Sequence, residues 1–463
     1  MSLHTEYFDE IKHFSLDRRM ENLPTSETLI ASLMRQLGLS SNNTEGEVWP
    51  SSDLFHQLFK VYDVERISKV FRSELSSPIS MKALKELDGR FKYREYVKPI
   101  IPAIASMTHS PRGGTGKGSP WNPGRWLLEE FALAFDDYDK YLLFVQELSQ
   151  SLLVSKDDKH DLANYFTNAL NSEQGSFDEK VVIESFDKYK RKSQFGWKAS
   201  SIHLEYVNLI RFVISIKQKS SRYRWVLFLD AALRMFATSA SIWRFRSVVL
   251  FIESIRDGDD FNMFSRTNGF IKYGATRTQI VKDGLKEYIL SYLTLFFMCE
   301  KLGLDAVRYT TPDLYDFLKS HTSLEDLDKA RKKAVSTVKG FSSEFSLRSS
   351  TLKNSKEFLE YVGVRKEDYS FSTEDYTFHY KKIGRDYRYH FGDTLLILLV
   401  NFVGDRMGKS QFTSSDFVHV LSRLGIQINF SEFSQGSLSK DLLKLGLVEE
   451  LSDSDSGMIF RAL

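Results

Sequence analysis

Apolar residues recur three or four positions apart over much of this chain, the spacing that lines one face of an α-helix. The pattern predicts helices in SETLIASLMRQLGL (residues 26–39), SSDLFHQLFKVYDVERISKVF (51–71), WLLEEFALAFDDYDKYLLFVQEL (126–148) and DLANYFTNAL (161–170). It continues through SSIHLEYVNLIRFVISI (200–216), RWVLFLDAALRMFATSA (224–240) and TRTQIVKDGLKEYILSYLTLFFMCEKLGL (276–304). Start signals agree with several of these. Ser26 and Ser51 precede the first two, Asn122-Pro123 pairs a capping residue with proline at a first helical position, and Thr311-Pro312 and Ser323 open two more. The last seventy residues change rhythm. TLLILLVNFVGDRMG, SSDFVHVLSRLGI and GSLSKDLLKLGLV read as three helices, with Asp393 placed to cap the first and Gly446 to end the third. LVEEL and MIFRAL, separated by the turn SDSDSG, then read as a β-hairpin.

The interruptions divide the chain. A Gly- and Pro-rich loop, 109–125, separates an N-terminal helical region, 1–108, from a central helical domain, 126–305. A polar and basic connecting region, 306–390, whose part beyond 340 has no clear period, leads to the terminal unit, 391–463. No repeat of fixed length and no sustained heptad seam is present, which disfavours a solenoid or a long coiled coil. The expected class is mainly α: a multi-helix body closed by three helices and a β-hairpin.

Composition adds little to this except by exclusion. Apolar residues make up 42% and charged residues 27%, so a packed globular chain is expected rather than a disordered one. One cysteine, Cys299, excludes an internal disulfide framework and a multi-cysteine zinc site, and its apolar helical surroundings predict a buried, inert thiol. The first residues, MSLHTEYFDEIKHF, lack the basic start and apolar stretch of a secretion signal, and no unbroken apolar run reaches about 18 residues. A cytoplasmic protein without membrane contact is the expectation.

Charge changes the picture more. Residues 129–187 hold 14 acids and 4 bases, and residues 188–246 hold 13 bases and 2 acids, so a block of −10 is followed by one of +11. In the basic block Lys188, Lys190, Arg191, Lys192 and Lys198 stand beside Tyr189, Phe195 and Trp197; Lys217, Lys219, Arg222 and Arg224 beside Tyr223 and Trp225; Arg244 and Arg246 beside Trp243 and Phe245. Bases interleaved with aromatics suit tracking of a nucleic-acid backbone, with double-stranded DNA as the partner. The same pattern also fits a helix layer paired with the acidic block. Both readings stay open at this point. A second basic stretch, RTNGFIKYGATRTQIVK, carries Arg266, Lys272, Arg277 and Lys282, with Gly269 and Gly274 able to bring backbone close to a ligand; a structural loop is the simpler reading.

The terminal unit, through Leu438, Leu442, Leu443, Gly446, Leu447 and Val448 and the hairpin after them, resembles the winged-helix family. Such a resemblance implies a third helix that enters a DNA groove or docks a protein. Residues 391–463 hold 6 bases and 9 acids, and the wing carries Glu449, Glu450, Asp453 and Asp455, which would meet phosphates with like charge. Those four acids are therefore assigned to a protein partner. A helix-rich chain ending in an acidic winged helix is also similar in architecture to accessory, kleisin-like subunits of SMC-type complexes, including Lamassu-type systems that act against plasmids and phage. That similarity implies a non-catalytic subunit working beside an SMC-like ATPase and a nuclease subunit in antiviral defence.

No catalytic constellation is legible. Gly113 to Ser119 resembles a phosphate loop, but Pro111 stands where a glycine is needed, Gly118 where the hydroxyl belongs, and Pro120 interrupts the following helix. Arg112, Lys117 and Arg125 are left as loop contacts to a polyanion or partner. Acids at Asp257, Asp259 and Asp260 match no calcium-loop spacing, the acid-x-Lys fragments at Asp157–Lys159 and Asp178–Lys180 lack a sheet around them, and the histidines form no close ligand pair. No cofactor, metal or catalytic residue is assigned. Two rivals remain: a winged-helix transcription regulator, and a divergent metal-dependent nuclease using Asp257, Asp259 and Asp260.

Overall fold

The computed structural model describes residues 29–39, 123–153, 200–259, 271–276, 284–306, 311–340, 378–383, 386–434, 436–449 and 458–462, with a few isolated positions between them (177, 179–180, 182–183, 279 and 309). Among these residues the chain is mainly helical. The body contains α1 (Leu29–Gln36), α2 (Pro123–Ala132), α3 (Tyr138–Leu152), α4 (Ser201–Ser215) and α5 (Arg222–Asp257), then α6 (Gly284–Lys301), α7 (Thr311–His321) and α8 (Leu324–Gly340). The predicted helix at 51–71, the one at 161–170 and the phosphate-like loop lie outside the described residues.

α5 organises the body. At 36 residues it spans about 54 Å, and it joins into one rod what the sequence pattern splits after residue 240. Ser221 caps it, accepting from the Arg224 N–H, and Gly258 ends it at φ 70°. Apolar residues lie all round it rather than on one stripe, as a helix packed on every side requires. By length and composition Arg224–Asp257 could cross a membrane, which a search for unbroken apolar runs does not register because Asp230, Arg234 and Arg244 interrupt it; 94% of its apolar window is buried inside the fold. Of these charges Asp230 and Arg234 pair within the helix, Arg234 Nε donating to Asp230 Oδ2 at 2.9 Å.

The expected helix over 126–148 is two helices. The chain leaves helical geometry at Leu133–Asp137, where Asp137 adopts an extended conformation and accepts from the Asp139 N–H at 2.6 Å to start α3. The freed Leu133 carbonyl accepts from the Ser200 N–H at 2.8 Å, so the break is also where α4 is attached. α1 and α2 pack closely enough that a Cβ on Gly124 would lie 2.4 Å from the Ser32 carbonyl oxygen, while the Gly124 N–H donates to Ser32 Oγ at 2.9 Å. Only glycine fits that crossing.

The terminal unit begins after an antiparallel hairpin, β2 (Phe378–Ile383) and β3 (Asp386–Phe391), which gives structure to part of the stretch without a clear period. Then follow α9 (Asp393–Met407), β4 (Gln411–Thr413), α10 (Ser414–Arg423), the two-residue β5 (Ile426–Gln427), a short α11 (Ser431–Ser434), α12 (Ser437–Lys444), β6 (Val448–Glu449) and β7 (Ile459–Arg461). β4, β7 and β6 form one antiparallel sheet in that spatial order, with Phe412 opposite Phe460 and Val448 opposite Phe460. Gly392, not Asp393, occupies the cap of α9; Asp393 is its first helical residue, and its carboxylate lies 3.7 Å from Lys444 Nζ. Thr413 and Asp416 make a reciprocal capping box at the start of α10, and Gly446 ends the turn after α12 at φ 67°.

The terminal unit is locked to the body. Glu205 of α4, almost fully buried, receives Arg406 from the end of α9, at 3.1 Å, and Arg423 from the end of α10. Beside it Tyr206 Oη donates to the Leu424 carbonyl at 2.9 Å. β1 (Ile271–Lys272) adds a parallel pairing to β5, so the short segment 271–276 stitches the same junction from the other side.

Candidate functional site

Six of the eleven basic residues assigned to nucleic acid fall among the described residues, and the structure divides them. Arg222 is buried, its guanidinium donating to the carbonyls of Leu152 and Leu153 at the end of α3. Arg244 reaches from α5 to the fully buried carboxylate of Glu130 on α2. Both are corrections to the expected surface stripe: their charge is spent joining the basic block to the acidic one, as is that of Arg211, which meets Glu147 at 2.9 Å. Lys217 is partly tethered, donating to the Leu153 carbonyl at 3.0 Å. Lys219 and Arg224 are exposed at the N-terminal end of α5, and no ion pair holds either among the described residues. Arg246 is half-exposed and lies 3.3 Å from Glu253. It sits 22 residues beyond Arg224, about 33 Å along the helix, so the predicted stripe is two separate places. Lys188, Lys190, Arg191, Lys192 and Lys198 lie outside the described residues, as do Arg112, Lys117, Glu450, Asp453, Asp455 and the side chain of Glu449. Arg125 is a surface residue 3.4 Å from Glu129.

The joint between the two charge blocks contains a polar cluster that the sequence reading does not anticipate. Ser200 Oγ lies 2.7 Å from His203 Nδ1, His203 Nε2 lies 3.1 Å from Glu130 Oε2, and Arg244 contacts Glu130 Oε1. Burial alone would raise the Glu130 carboxyl, but the Arg244 charge and hydrogen bonds from His203 and Arg244 outweigh it and hold the group below its ordinary range. His203 is pushed below its ordinary value by burial, against the pull of Glu130. Glu130 is therefore ionised and His203 neutral, with its proton on Nε2 toward Glu130 and Nδ1 accepting from the Ser200 hydroxyl. The order hydroxyl, imidazole, carboxylate is that of a nucleophilic relay, yet Ser200, His203 and Glu130 are each fully buried, so no substrate reaches the hydroxyl. The cluster fastens α2, α4 and α5 together.

Arg246 opens instead on a cleft of about 770 Å³ between α5, the segment 271–276, β3 and the terminal unit. Ile242, Phe245 and Val249 make its apolar floor, and Asn429, Glu432 and Ser437 its far wall. Tyr273 Oη and His390 Nδ1 are 3.0 Å apart, and Ser437 Oγ is 3.3 Å from the same nitrogen, so a buried polar network backs that wall. Lys272 and Arg388 complete the rim. Lys272 belongs to the second basic stretch, which the sequence reading leaves as a structural loop; Arg388, 116 residues further on, joins it through the antiparallel bridge between Thr276 and Arg388. Gly274 stands at φ 77°, and its N–H donates to the Tyr389 carbonyl, so it is the left-handed corner of this wall rather than a free ligand contact. No sequence signal links Lys272 to Arg388, which line one cleft because the bridge between Thr276 and Arg388 joins their segments.

The remaining candidates resolve simply. Asp257 is exposed and paired with Arg256 at 2.9 Å, and the Asp259 carbonyl accepts from Lys319 at 3.1 Å and from Tyr315. Asp260 lies outside the described residues, and among the described residues no group of three or more His, Cys, Asp or Glu side chains could hold a metal ion. Cys299 is buried, and burial pushes its thiol up to about 12. Compared with known protein families and with curated proteins, the chain matches no family model and no individual relative.

Proposed function

We propose that this chain is a non-catalytic DNA- and partner-binding subunit, whose helical body holds duplex DNA and whose terminal unit is a winged-helix module that docks a protein. The observation that carries this reading is the make-up of the terminal unit: helix, strand, helix, the short β5 and α11, a further helix and a strand pair, with β4 beside β7. With α12 taken as the third helix and β5 and α11 as an insertion before it, this order supports the winged-helix reading. Its third helix offers only Lys440 and Lys444 as cations, with Asp441 between them, while Leu443 on that helix and Phe430 before α11 are exposed apolar residues. Exposed apolar side chains on a unit whose sequence is net acidic favour a protein surface over a phosphate backbone. Residues 391–463 are net negative and the stretch 188–246 net positive, so the two partners are assigned to different parts. In this reading an SMC-like ATPase and a nuclease subunit supply the chemistry, within a defence system against plasmids or phage.

The test is duplex binding by the full chain across a salt series. Changing Lys219 and Arg224 to Glu should weaken retention at least about tenfold and lower the salt slope by about two. A second variant, with Lys190, Arg191 and Lys192 changed to Glu, should act in the same direction. Retention unchanged in both variants would remove nucleic acid from the body.

A further inference from the structure

The cleft between α5 and the terminal unit has no part in the proposed function. We propose that it binds a small phosphorylated molecule carrying hydroxyl donors, of the nucleotide class. The inference rests on charge accounting within the cleft, on its size and on one unmatched acceptor.

Five formal charges line it. Arg246 is met by Glu253, and Glu287 by Arg331, each at 3.3 Å. Glu432 lies over Gly436, immediately before α12, where its oxygen would come within 2.2 Å of an added Cβ. Glu432 makes no ion pair and accepts no hydrogen bond among the described residues, so its charge stands against the remaining cations. Lys272 and Arg388 remain, both exposed and without an ion pair among the described residues. The cleft therefore presents two unpaired cations and one unpaired carboxylate above an apolar floor, an arrangement that recognises an anion attached to a body carrying a hydrogen-bond donor. Its volume of about 770 Å³ lies within the usual range of small-molecule sites.

Glu432 narrows the class. Its Oε2 is buried against Gly436 and accepts no hydrogen bond among the described residues, while its Oε1 lies beside Gly274, 3.7 Å from where a Cβ would stand. A carboxylate that lines a cleft and has no donor from the protein is open to one from a ligand. The phosphate of a monoester dianion has no proton to donate, so the donor must come from the body it is attached to, as the hydroxyls of a ribose do. Phosphate held by Lys272 and Arg388, and sugar hydroxyls donating to Glu432, satisfy both halves. Because Lys272 belongs to the segment paired with β5 and Glu432 to the terminal unit, such a ligand also clamps that unit to the body.

The experiment is thermal unfolding and calorimetric titration of the full chain with AMP, ATP, inorganic phosphate and adenosine as separate probes. AMP or ATP should raise the melting temperature and give a saturable heat, inorganic phosphate should bind more weakly, and adenosine should do neither. Lys272→Ala and Arg388→Ala should each weaken nucleotide binding about tenfold, with the ligand-free melting temperature unchanged because both side chains are exposed. Glu432→Gln should weaken AMP binding and leave phosphate binding unaffected or stronger. Failure of every probe to bind at millimolar concentration, or nucleotide binding that survives the Lys272→Ala/Arg388→Ala double variant, would overturn the site. Tighter AMP binding by Glu432→Gln would show the carboxylate to be only repulsive and would overturn the nucleotide class.

Discussion

Glu130→Ala should be among the most damaging single changes in the chain, destabilising it by about 3–5 kcal/mol. The substitution removes the acceptor for both Arg244 and His203, and leaves a guanidinium in a site that is only 14% exposed. Removing one member of a buried ion pair costs far more than the pair contributes, since the remaining charge is neither hydrated nor matched. Denaturant midpoints of wild type and variant would measure the loss; a change below about 1 kcal/mol would show that water reaches the cluster. The same network sets an acid limit. His203 is held below its ordinary value when folded, so below about pH 6.5 the unfolded chain takes up a proton that the folded chain refuses, and stability falls. Glu130 is likewise held low, so its contribution is present above the ordinary carboxylate range and declines as pH falls through it. His203→Gln should remove the upper part of this acid sensitivity and leave the lower part.

The second large effect is expected at Glu205. This buried carboxylate takes Arg406 and Arg423 from two helices of the terminal unit. Glu205→Ala should destabilise that junction by about 2–3 kcal/mol, less than the loss at Glu130 because both arginines are partly exposed and can rehydrate. The readout is local. Amide exchange should quicken in α9, α10 and the segment 271–276 while α5 stays protected. Uniform loss of protection along the chain would mean that body and terminal unit unfold as one, and that Glu205 is not a separable fastening.

The sequence makes the individual elements of the terminal unit legible because each carries its own signals. Leu438 and Leu442 give α12 its buried face, Gly446 ends the turn after it, and SDSDSG separates two strands whose Val448 and Phe460 pair. What it hides depends on distance along the chain. β4 has a single buried residue, Phe412, and becomes a strand only because β7 returns beside it from nearly fifty residues away. Arg222 and Arg244 look like surface cations by composition; their partners stand 70 and 114 residues earlier, so nothing local marks them as internal. Glu205 reads as an ordinary acid on a helix, and its arginines are 201 and 218 residues away. Charge segregation between the acidic and basic blocks is visible in the sequence, but its meaning is not. Part of that charge joins α2 and α3 to α4 and α5, which narrows the described surface left for DNA to Lys219, Arg224 and the tethered Lys217.

The division of labour between body and terminal unit is tested most directly by amide exchange of the full chain with and without a short duplex. Protection is expected at 217–224 and along the basic stretch before it, with α12 and the strands 448–449 and 459–461 unchanged. Duplex-dependent protection of α12 and those strands, with 217–224 unaffected, would contradict the account and place the DNA on the terminal unit.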